Sequence, residues 1–385
     1  MYSLDGYGQM IADKVRTGAY AQALRRAVGP GTSVLDLGAG TGIFSLLACQ
    51  YGARKVYAVE TGDAITIAQR IAQANGFADR IEFIQGESTG ISLPERVDVI
   101  VSDMHGTLPL FDTNVVSILD ARRRMLAAGG ILIPQQESLW TAVVEAPEDY
   151  DRLASPWTRD SFDLDMEAAR QAATNCVRTA VVARDQLLSE PQCWAVLDYA
   201  TLESPSLSAT ISFRAARAGI AHGLILWFDS VLANGIELSN APGKPKLVYG
   251  SFFLPWTAAV PLEPGEEIKV RLRADFTGAD YLWTWESEIT GNGGAAINPH
   301  FRQSTFWGSP LSPARLRRRS STYRPALALD GQVDAVILGA MNGATSLEDI
   351  ARAVMARFPA RFRSFGEALA RVGDLSETYG GHGNA

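Results

Sequence analysis

Two carboxylates nine positions apart, Asp103 and Asp112, bracket the loop Ser102-Asp103-Met104-His105-Gly106-Thr107-Leu108-Pro109-Leu110-Phe111-Asp112. Two acids on one loop can grip a planar cation through fork-like, charge-assisted hydrogen bonds. His105 lies between them and titrates near neutrality. It is a candidate base, or else a hydrogen-bonded side chain near a strand end. Asp112 also reads as an N-cap, because a helical run starts just beyond it at Thr113-Asn114-Val115-Val116. Cap, site or both stay open. The second chemical stretch is Val34-Leu35-Asp36-Leu37-Gly38-Ala39-Gly40-Thr41-Gly42. It reads as a buried strand running out into a glycine turn before a helix. Its alternate glycines let the backbone bend tightly and let a ligand lie against bare main chain. The dinucleotide spacing Gly-x-Gly-x-x-Gly would need glycine where Ile43 stands. Glu60 ends the next strand, where a carboxylate can accept from a pair of ribose hydroxyls.

The elements that must position these residues follow from hydrophobic periodicity. Residues 5–28 read as one helix, with Met10, Ile11, Val15 and Leu24 at helical spacing and Pro30-Gly31 as its stop. Asp13 and Arg16 share a face of it as a surface ion pair. From 33 to about 135, strands alternate with helices: strand 33–37, helix 42–51, strand 55–60, helix 63–75, strands 80–85 and 97–102, helix 112–127 and strand 130–133. That alternation predicts an α/β fold with a parallel sheet, helices on both faces and ligands at the carboxyl ends of the strands. The glycine loop, Glu60, Gly86-Glu87-Ser88-Thr89 and Ser102-Asp103 all fall at such ends. Beyond Pro134 the pattern turns to period-two alternation, as in Leu139–Val144 and Tyr281–Trp285, which predicts an antiparallel barrel or sandwich. An alanine-rich helical piece at Asp165–Cys176 interrupts it. The expected organisation is a ligand-binding domain at 1–134, a barrel domain at 135–290 with a helical insertion near 160–178, a Gly-, Pro- and Arg-rich linker at 291–325, and a small unit at 326–385. That last unit reads as three helices, with Ser346 as an N-cap three residues before Asp349.

Composition bounds the function classes. The 385 residues are 47% hydrophobic and 20% charged, as in an ordinary globular protein. No apolar run approaches the roughly 20 residues that span a bilayer, and the first residues lack a secretory pattern. A net charge of −7 argues against duplex nucleic acid as a partner. Cys49, Cys176 and Cys193 are too scattered for a disulfide framework or a zinc site, so no metal is expected and a reducing cytoplasm fits. The basic run Arg315–Arg319 reads as a solvated linker.

The Gly-x-Gly-x-Gly spacing after Asp36 resembles that of methyltransferases that use S-adenosylmethionine. Over residues 5–290 the chain resembles the protein arginine methyltransferases, in the order helix, Rossmann-like cofactor domain, barrel. Met10-Ile11-Ala12-Asp13-Lys14-Val15-Arg16-Thr17 is similar to that family's N-terminal helix, which folds over the cofactor. The resemblance implies that Arg16 pairs with the methionine carboxylate of S-adenosylmethionine and that Met10 lines the transfer site. It implies cofactor contacts at Asp36, Gly38, Gly40 and Glu60. Ser88 and Thr89 fall at its adenine position, where the family's glutamate is absent and Glu87 is a substitute. Asp103 and Asp112 stand where the family has two glutamates that grip the substrate guanidinium. Each is one methylene shorter, with Met104 for a tryptophan and His105 for a methionine. The family's Thr-His-Trp loop, whose histidine pairs with the acid matching Asp13, falls on Lys246–Phe253, which has no histidine. His105 or His300 would replace it, or the pair is not used. The piece after Phe162–Asp165 lies where the family has a dimerisation arm, which implies a homodimer. The C-terminal stretch Leu327–Ile350 is similar to PqqD-like peptide-recognition units, winged-helix modules that bind a precursor peptide's leader by strand addition.

These resemblances imply a methyltransferase with S-adenosylmethionine as cofactor and S-adenosylhomocysteine as product, acting on a peptide or protein. The finer form is arginine N-methylation of a ribosomally made precursor peptide. Two other readings are a natural-product methyltransferase with a small N or O acceptor and a non-catalytic assembly protein. The acceptor stays open between a guanidinium and an imidazole, amide, amine or carboxylate.

Overall fold

The structure is a computed structural model and describes residues 3–158, 163–291 and 299–380. His382, residues 292–298 of the expected linker and residues 159–162 of the expected arm lie outside the described residues. The chain divides into two units, residues 1–310 and 311–385.

The first unit opens with two helices where one was expected, α1 (Leu4–Ala12) and α2 (Lys14–Ala27). Asp13 between them is extended, and its Oδ1 accepts from the N–H groups of Val15 and Arg16. An Asp cap stabilises a helix start by about 1 kcal/mol, and here it starts a new helix instead of sitting mid-helix as a surface charge. Arg16 is correspondingly not on the surface but buried.

The α/β part is β1 (Ser33–Leu37), α3 (Ile43–Gln50), β2 (Lys55–Glu60), α4 (Ala64–Ala74), β3 (Ile81–Gln85), β4 (Val97–Ser102), α5 (Asn114–Met125) and β5 (Leu126–Ile133). Its sheet runs β3-β2-β1-β4-β5, all parallel. Every residue of β1 is buried, as expected for a central strand covered on both faces. The order reverses at β1, so a crevice opens outside the ends of β1 and β4, the usual place for a ligand in such a sheet.

The rest of the unit is antiparallel and barrel-like, with two short helices inserted: β6 (Gln136–Val144), α6 (Pro147–Ala154), α7 (Glu167–Thr174), β7 (Arg178–Ala180), β8 (Gln192–Asp198), β9 (Leu207–Arg214), β10 (Gly219–Ala233), β11 (Ile236–Ser239), β12 (Ser251–Leu262), β13 (Glu267–Phe276), β14 (Tyr281–Thr290) and β15 (His300–Ser304). One sheet runs β7-β12-β10-β6-β8 with β11 on β10, and the other runs β15-β14-β13-β9. Trp256 of the first and Trp285 of the second are fully buried in a shared core. β15 falls inside the stretch expected to be linker, because its residues extend the second sheet along β14. Helix α7, in the expected arm, is engaged within the chain. Gln303 Nε2 donates to the carbonyls of Thr174 and Pro255, and Asn175 Oδ1 accepts from the Ser304 N–H.

The second unit holds α8 (Pro313–Arg318), α9 (Leu329–Ala340), α10 (Leu347–Arg357) and α11 (Phe365–Tyr379). Ser346 caps α10 by accepting from Asp349 N–H at 3.2 Å. Val333, Ile337, Val354, Phe362 and Val372 form its separate core. No strand occurs among the described residues of this unit, so the expected winged-helix form is corrected to a helical one: strand addition needs a free strand edge, and none is described there. In so small a core each large side chain counts. Ile337→Ala is expected to cost this unit about 2–5 kcal/mol. Hydrogen exchange should then lose protection in α9–α11 and keep it in β1–β5. Among the described residues no helix is long and apolar enough to cross a membrane.

Candidate active site

The glycine turn after β1 adopts the left-handed backbone that its composition allows, with φ of 71° at Gly38, 53° at Gly40 and 84° at Gly42. Side chains come close above it. A Cβ at Gly38 would overlap Met104, and one at Gly40 would overlap the ring of Tyr7 from α1. Glu60, at the end of β2, holds the turn from below. Its Oε2 accepts from Gly40 N–H at 2.9 Å and its Oε1 from Gly62 N–H at 2.7 Å. Asp36 has a different task from the one expected. It is buried, and its Oδ2 accepts from both the N–H and the hydroxyl of Ser45, at 2.9 and 2.6 Å. It therefore fixes the first turn of α3 behind the glycine loop. Burial pushes its carboxyl up to about 6 against the opposing pull of the Ser45 bonds.

Asp103, at the end of β4, lies at the centre of a buried polar chain. Its Oδ1 accepts from the Tyr249 hydroxyl at 2.6 Å and lies 2.7 Å from His105 Nδ1, while Oδ2 pairs with the Arg16 guanidinium. Arg16 Nε donates to the Tyr249 oxygen at 2.9 Å, and its Nη1 donates to the Met10 carbonyl at 3.0 Å. His105 Nε2 meets Glu137 of β6, and Glu137 also accepts from the Tyr199 hydroxyl. Burial alone would raise the Asp103 carboxyl, but Arg16, then His105 and Tyr249, hold it below the usual range. Burial alone would lower His105, but the carboxylates of Glu137 and Asp103 push it up to about 10. Both ring nitrogens of buried His105 are thus engaged by carboxylates, an arrangement that favours the protonated ring. With each ring nitrogen bonded to a carboxylate, His105 has the geometry of a hydrogen-bonded side chain near a strand end, one of the two readings its position allows.

Beside this chain opens a cavity of about 1030 Å³, all within the first unit. The loop after Asp103 forms one wall with Thr107, Leu110 and Phe111, and the barrel forms the other with Phe252, Tyr281 and Trp283. Met10, His105 and Tyr249 also line it.

The expected residues do not all converge. Met10, Arg16, Gly38, Gly40, Glu60, Asp103 and His105 lie along the glycine turn, the buried chain and the cavity. Asp112 is exposed, stands at φ +48° and is not among the cavity residues. It is not the N-cap either, since Thr113 holds that position without a side-chain bond. Its left-handed backbone, rare for a residue with a Cβ, carries it out of the loop. Glu87 and Thr89 are exposed, and half-buried Ser88 offers its carbonyl to Arg124 at 2.8 Å. His300 is exposed on Glu286 in β14, away from the buried chain. Asp13, which the absent histidine would have met, accepts instead from Val248 N–H at 2.9 Å.

Sequence reasoning missed Tyr249, Glu137 and Tyr199. Glu137 carried a signal, because along β6 it shares the inward parity of Leu139, Thr141 and Val143. Tyr249 stood within the very stretch searched for a histidine.

The comparisons agree with this geometry. The family model for ribosomal protein L11 methyltransferase (PrmA) matches residues 17–146. Protein arginine N-methyltransferase 6 of Xenopus laevis is 31% identical over 289 residues, 70% of this chain and 81% of that protein. A probable protein arginine N-methyltransferase 6 of Arabidopsis thaliana is 31% identical over 246 residues, 62% of this chain. The chain spans about half the length of that relative, 55% of it. Among solved structures, the Trypanosoma brucei PRMT1 enzyme–prozyme heterotetrameric complex with AdoHcy has the same fold, with a TM-score of 0.71 at 23% identity over 77% of this chain and 96% of that one. This chain belongs to the protein arginine N-methyltransferase family.

Proposed function

We propose that the chain is an S-adenosylmethionine-dependent methyltransferase acting on a peptide or protein. The observation that carries this reading is the buried Glu60 carboxylate at the end of β2, bonded to the glycine turn it faces. Its Oε2 takes the Gly40 N–H and its Oε1 the Gly62 N–H and, at 3.4 Å, the Thr61 hydroxyl; a carboxylate has about four acceptor positions, so capacity remains on Oε2 for a ribose hydroxyl. Gly38 and Gly40 would offer bare main chain, Arg16 would meet the carboxylate end, and Met10 and Tyr7 would cover the ligand. When bound, S-adenosylmethionine supplies a sulfonium methyl group and leaves as S-adenosylhomocysteine. The chain's own part is positioning and charge placement. Asp103 and Tyr249 would fix Arg16, and the neutral sum of the buried chain would keep positive charge from accumulating beside a sulfonium.

Two checks test the reading. Transfer of labelled methyl from S-adenosylmethionine to peptides should be detectable, and absence of transfer to any peptide or protein would remove the peptide reading. Glu60→Gln removes a charge-assisted bond of about 1.5–3 kcal/mol, so calorimetry should show S-adenosylhomocysteine binding weakened roughly ten- to a hundredfold.

Finer proposals rest on less. A precursor peptide as substrate is supported by the separately cored unit 311–385 and its exposed Leu327, Leu329 and Leu338. A homodimer through the α6–α7 insertion is supported by its position after β6, and sedimentation tests it. A cytoplasmic setting is supported by the free Cys49, Cys176 and Cys193.

A further inference from the structure

Arg16 and Asp103 are both buried and face each other, yet they do not close into the two-point fork that such pairs often form. A guanidinium presents Nε and one Nη along a single edge, and that edge matches both oxygens of a carboxylate. Here only one corner of the edge reaches Asp103, with Arg16 Nη2 on Oδ2. At the other corner stands the Tyr249 hydroxyl. Its oxygen accepts from Arg16 Nε at 2.9 Å, and it donates onward to Asp103 Oδ1 at 2.6 Å. The direction is fixed, because arginine has no acceptor and a hydroxyl has one proton. Burial, and then the Asp103 carboxylate, push the Tyr249 hydroxyl well above the usual tyrosine range, so the donor persists at neutral pH. Asp103 Oδ1 thus serves Tyr249 and His105. Oδ2 is buried, meets Arg16 as an ion pair and has no hydrogen-bond partner among the described residues.

Tyr249 is anchored on both sides of its own residue. The Val248 N–H donates to Asp13 Oδ2 at 2.9 Å, and the Gly250 carbonyl accepts from Asn240 Nδ2 at 2.6 Å. Gly250 takes φ +67°, and a Cβ there would overlap Thr179. The Tyr249 ring packs edge-to-face against His105 and Phe228, with centroids 5.6 Å apart in each case. The ring carries the packing, and the hydroxyl stands between two opposite charges. Without the hydroxyl, the Arg16 edge is free to turn onto both oxygens of Asp103. Each group would then be spent on the other. Arg16 would be lost to a carboxylate ligand, and Oδ2 to a donor entering from the cavity that Met10, His105 and Tyr249 line.

We propose that Tyr249 is a positioning residue whose hydroxyl is a spacer between Arg16 and Asp103, keeping Arg16 available to the carboxylate of the cofactor and Asp103 Oδ2 available to an N–H of the acceptor group. This rests on the methyltransferase reading above.

The test uses the full chain and two ligands, S-adenosylhomocysteine and methylthioadenosine. Both carry an adenosine and a thioether, and only the first carries a carboxylate. Tyr249→Phe removes the hydroxyl and keeps the ring. Calorimetry is expected to show S-adenosylhomocysteine bound about tenfold more weakly or worse, and methylthioadenosine bound within about twofold of wild type. Asparagine has no charge to hold the fork. Adding Asp103→Asn to Tyr249→Phe should therefore bring S-adenosylhomocysteine affinity back to within about threefold of Asp103→Asn alone. With a peptide that the wild-type chain methylates, turnover at saturating cofactor should fall about tenfold or more in Tyr249→Phe. Equal weakening of both ligands, or loss of both, would make the hydroxyl merely structural and overturn the proposal. Unchanged S-adenosylhomocysteine affinity, unchanged turnover, or no recovery with Asp103→Asn would overturn it as well. A wild-type chain that binds neither S-adenosylhomocysteine nor S-adenosylmethionine would instead overturn the methyltransferase reading.

Discussion

Asp103→Asn is expected to lower methyl transfer by about a hundredfold or more while leaving S-adenosylhomocysteine affinity within a few-fold. Asparagine keeps the shape and can still accept from Tyr249. What changes is charge. Arg16 and His105 would then face only Glu137, so the buried chain would carry a net positive charge. On the proposed reading, that charge would oppose a sulfonium and an acceptor that becomes cationic. At about 4 Å, two unit charges repel by roughly 4 kcal/mol in a partly polar site. The demethylated thioether carries no such charge, so its affinity serves as the control. Steady-state kinetics with calorimetry of both cofactor forms checks this. Wild-type turnover in the variant would remove Asp103 from the mechanism.

Glu137→Ala is expected to be the most damaging single change to stability. Glu137 is fully buried and satisfies both His105 and Tyr199. Its removal leaves an imidazolium and a hydroxyl buried without it, a loss of about 3–5 kcal/mol in a protein whose total is about 5–15 kcal/mol. All eight tryptophans precede residue 311, so their fluorescence in urea reports the first unit alone. The same pair sets a pH dependence. His105 is raised from 6.5 to about 10 in the fold. Its contribution is therefore fully present below about pH 6.5 and is lost as the pH rises through 10. The groups that face it are Asp103, Glu137 and, through them, Arg16, Tyr249 and Tyr199. Glu137→Gln should shrink the stability difference between pH 7 and pH 9.5. An equal difference in wild type and variant would show that His105 is not the group responsible.

The parallel sheet was legible because its strands are continuous apolar runs that end on chemical residues: Leu37 before the glycine turn, Glu60, and Ser102-Asp103. Local pattern is enough when a strand is buried on both faces. It failed where one residue can serve two local structures. Asp13 in a helical run reads as a surface charge, yet the same side chain can restart a helix as a cap, and tertiary burial of Arg16 decides between them. The glycine turn and the strand-end acid that faces it, Glu60, were legible for the same reason as the sheet. The opposite wall was not, because its contacts span long sequence separations: Tyr249 meets Arg16 across 233 residues and Asp103 across 146. Asp112 shows the converse. Its spacing from Asp103 matched a two-acid grip, but spacing does not fix the backbone conformation that turns it outward.

The most direct test of the cofactor site is a calorimetric titration of the intact chain with S-adenosylhomocysteine. Saturable one-to-one binding, weakened in Glu60→Gln, is the expected result. Absence of binding to both S-adenosylhomocysteine and S-adenosylmethionine would contradict it.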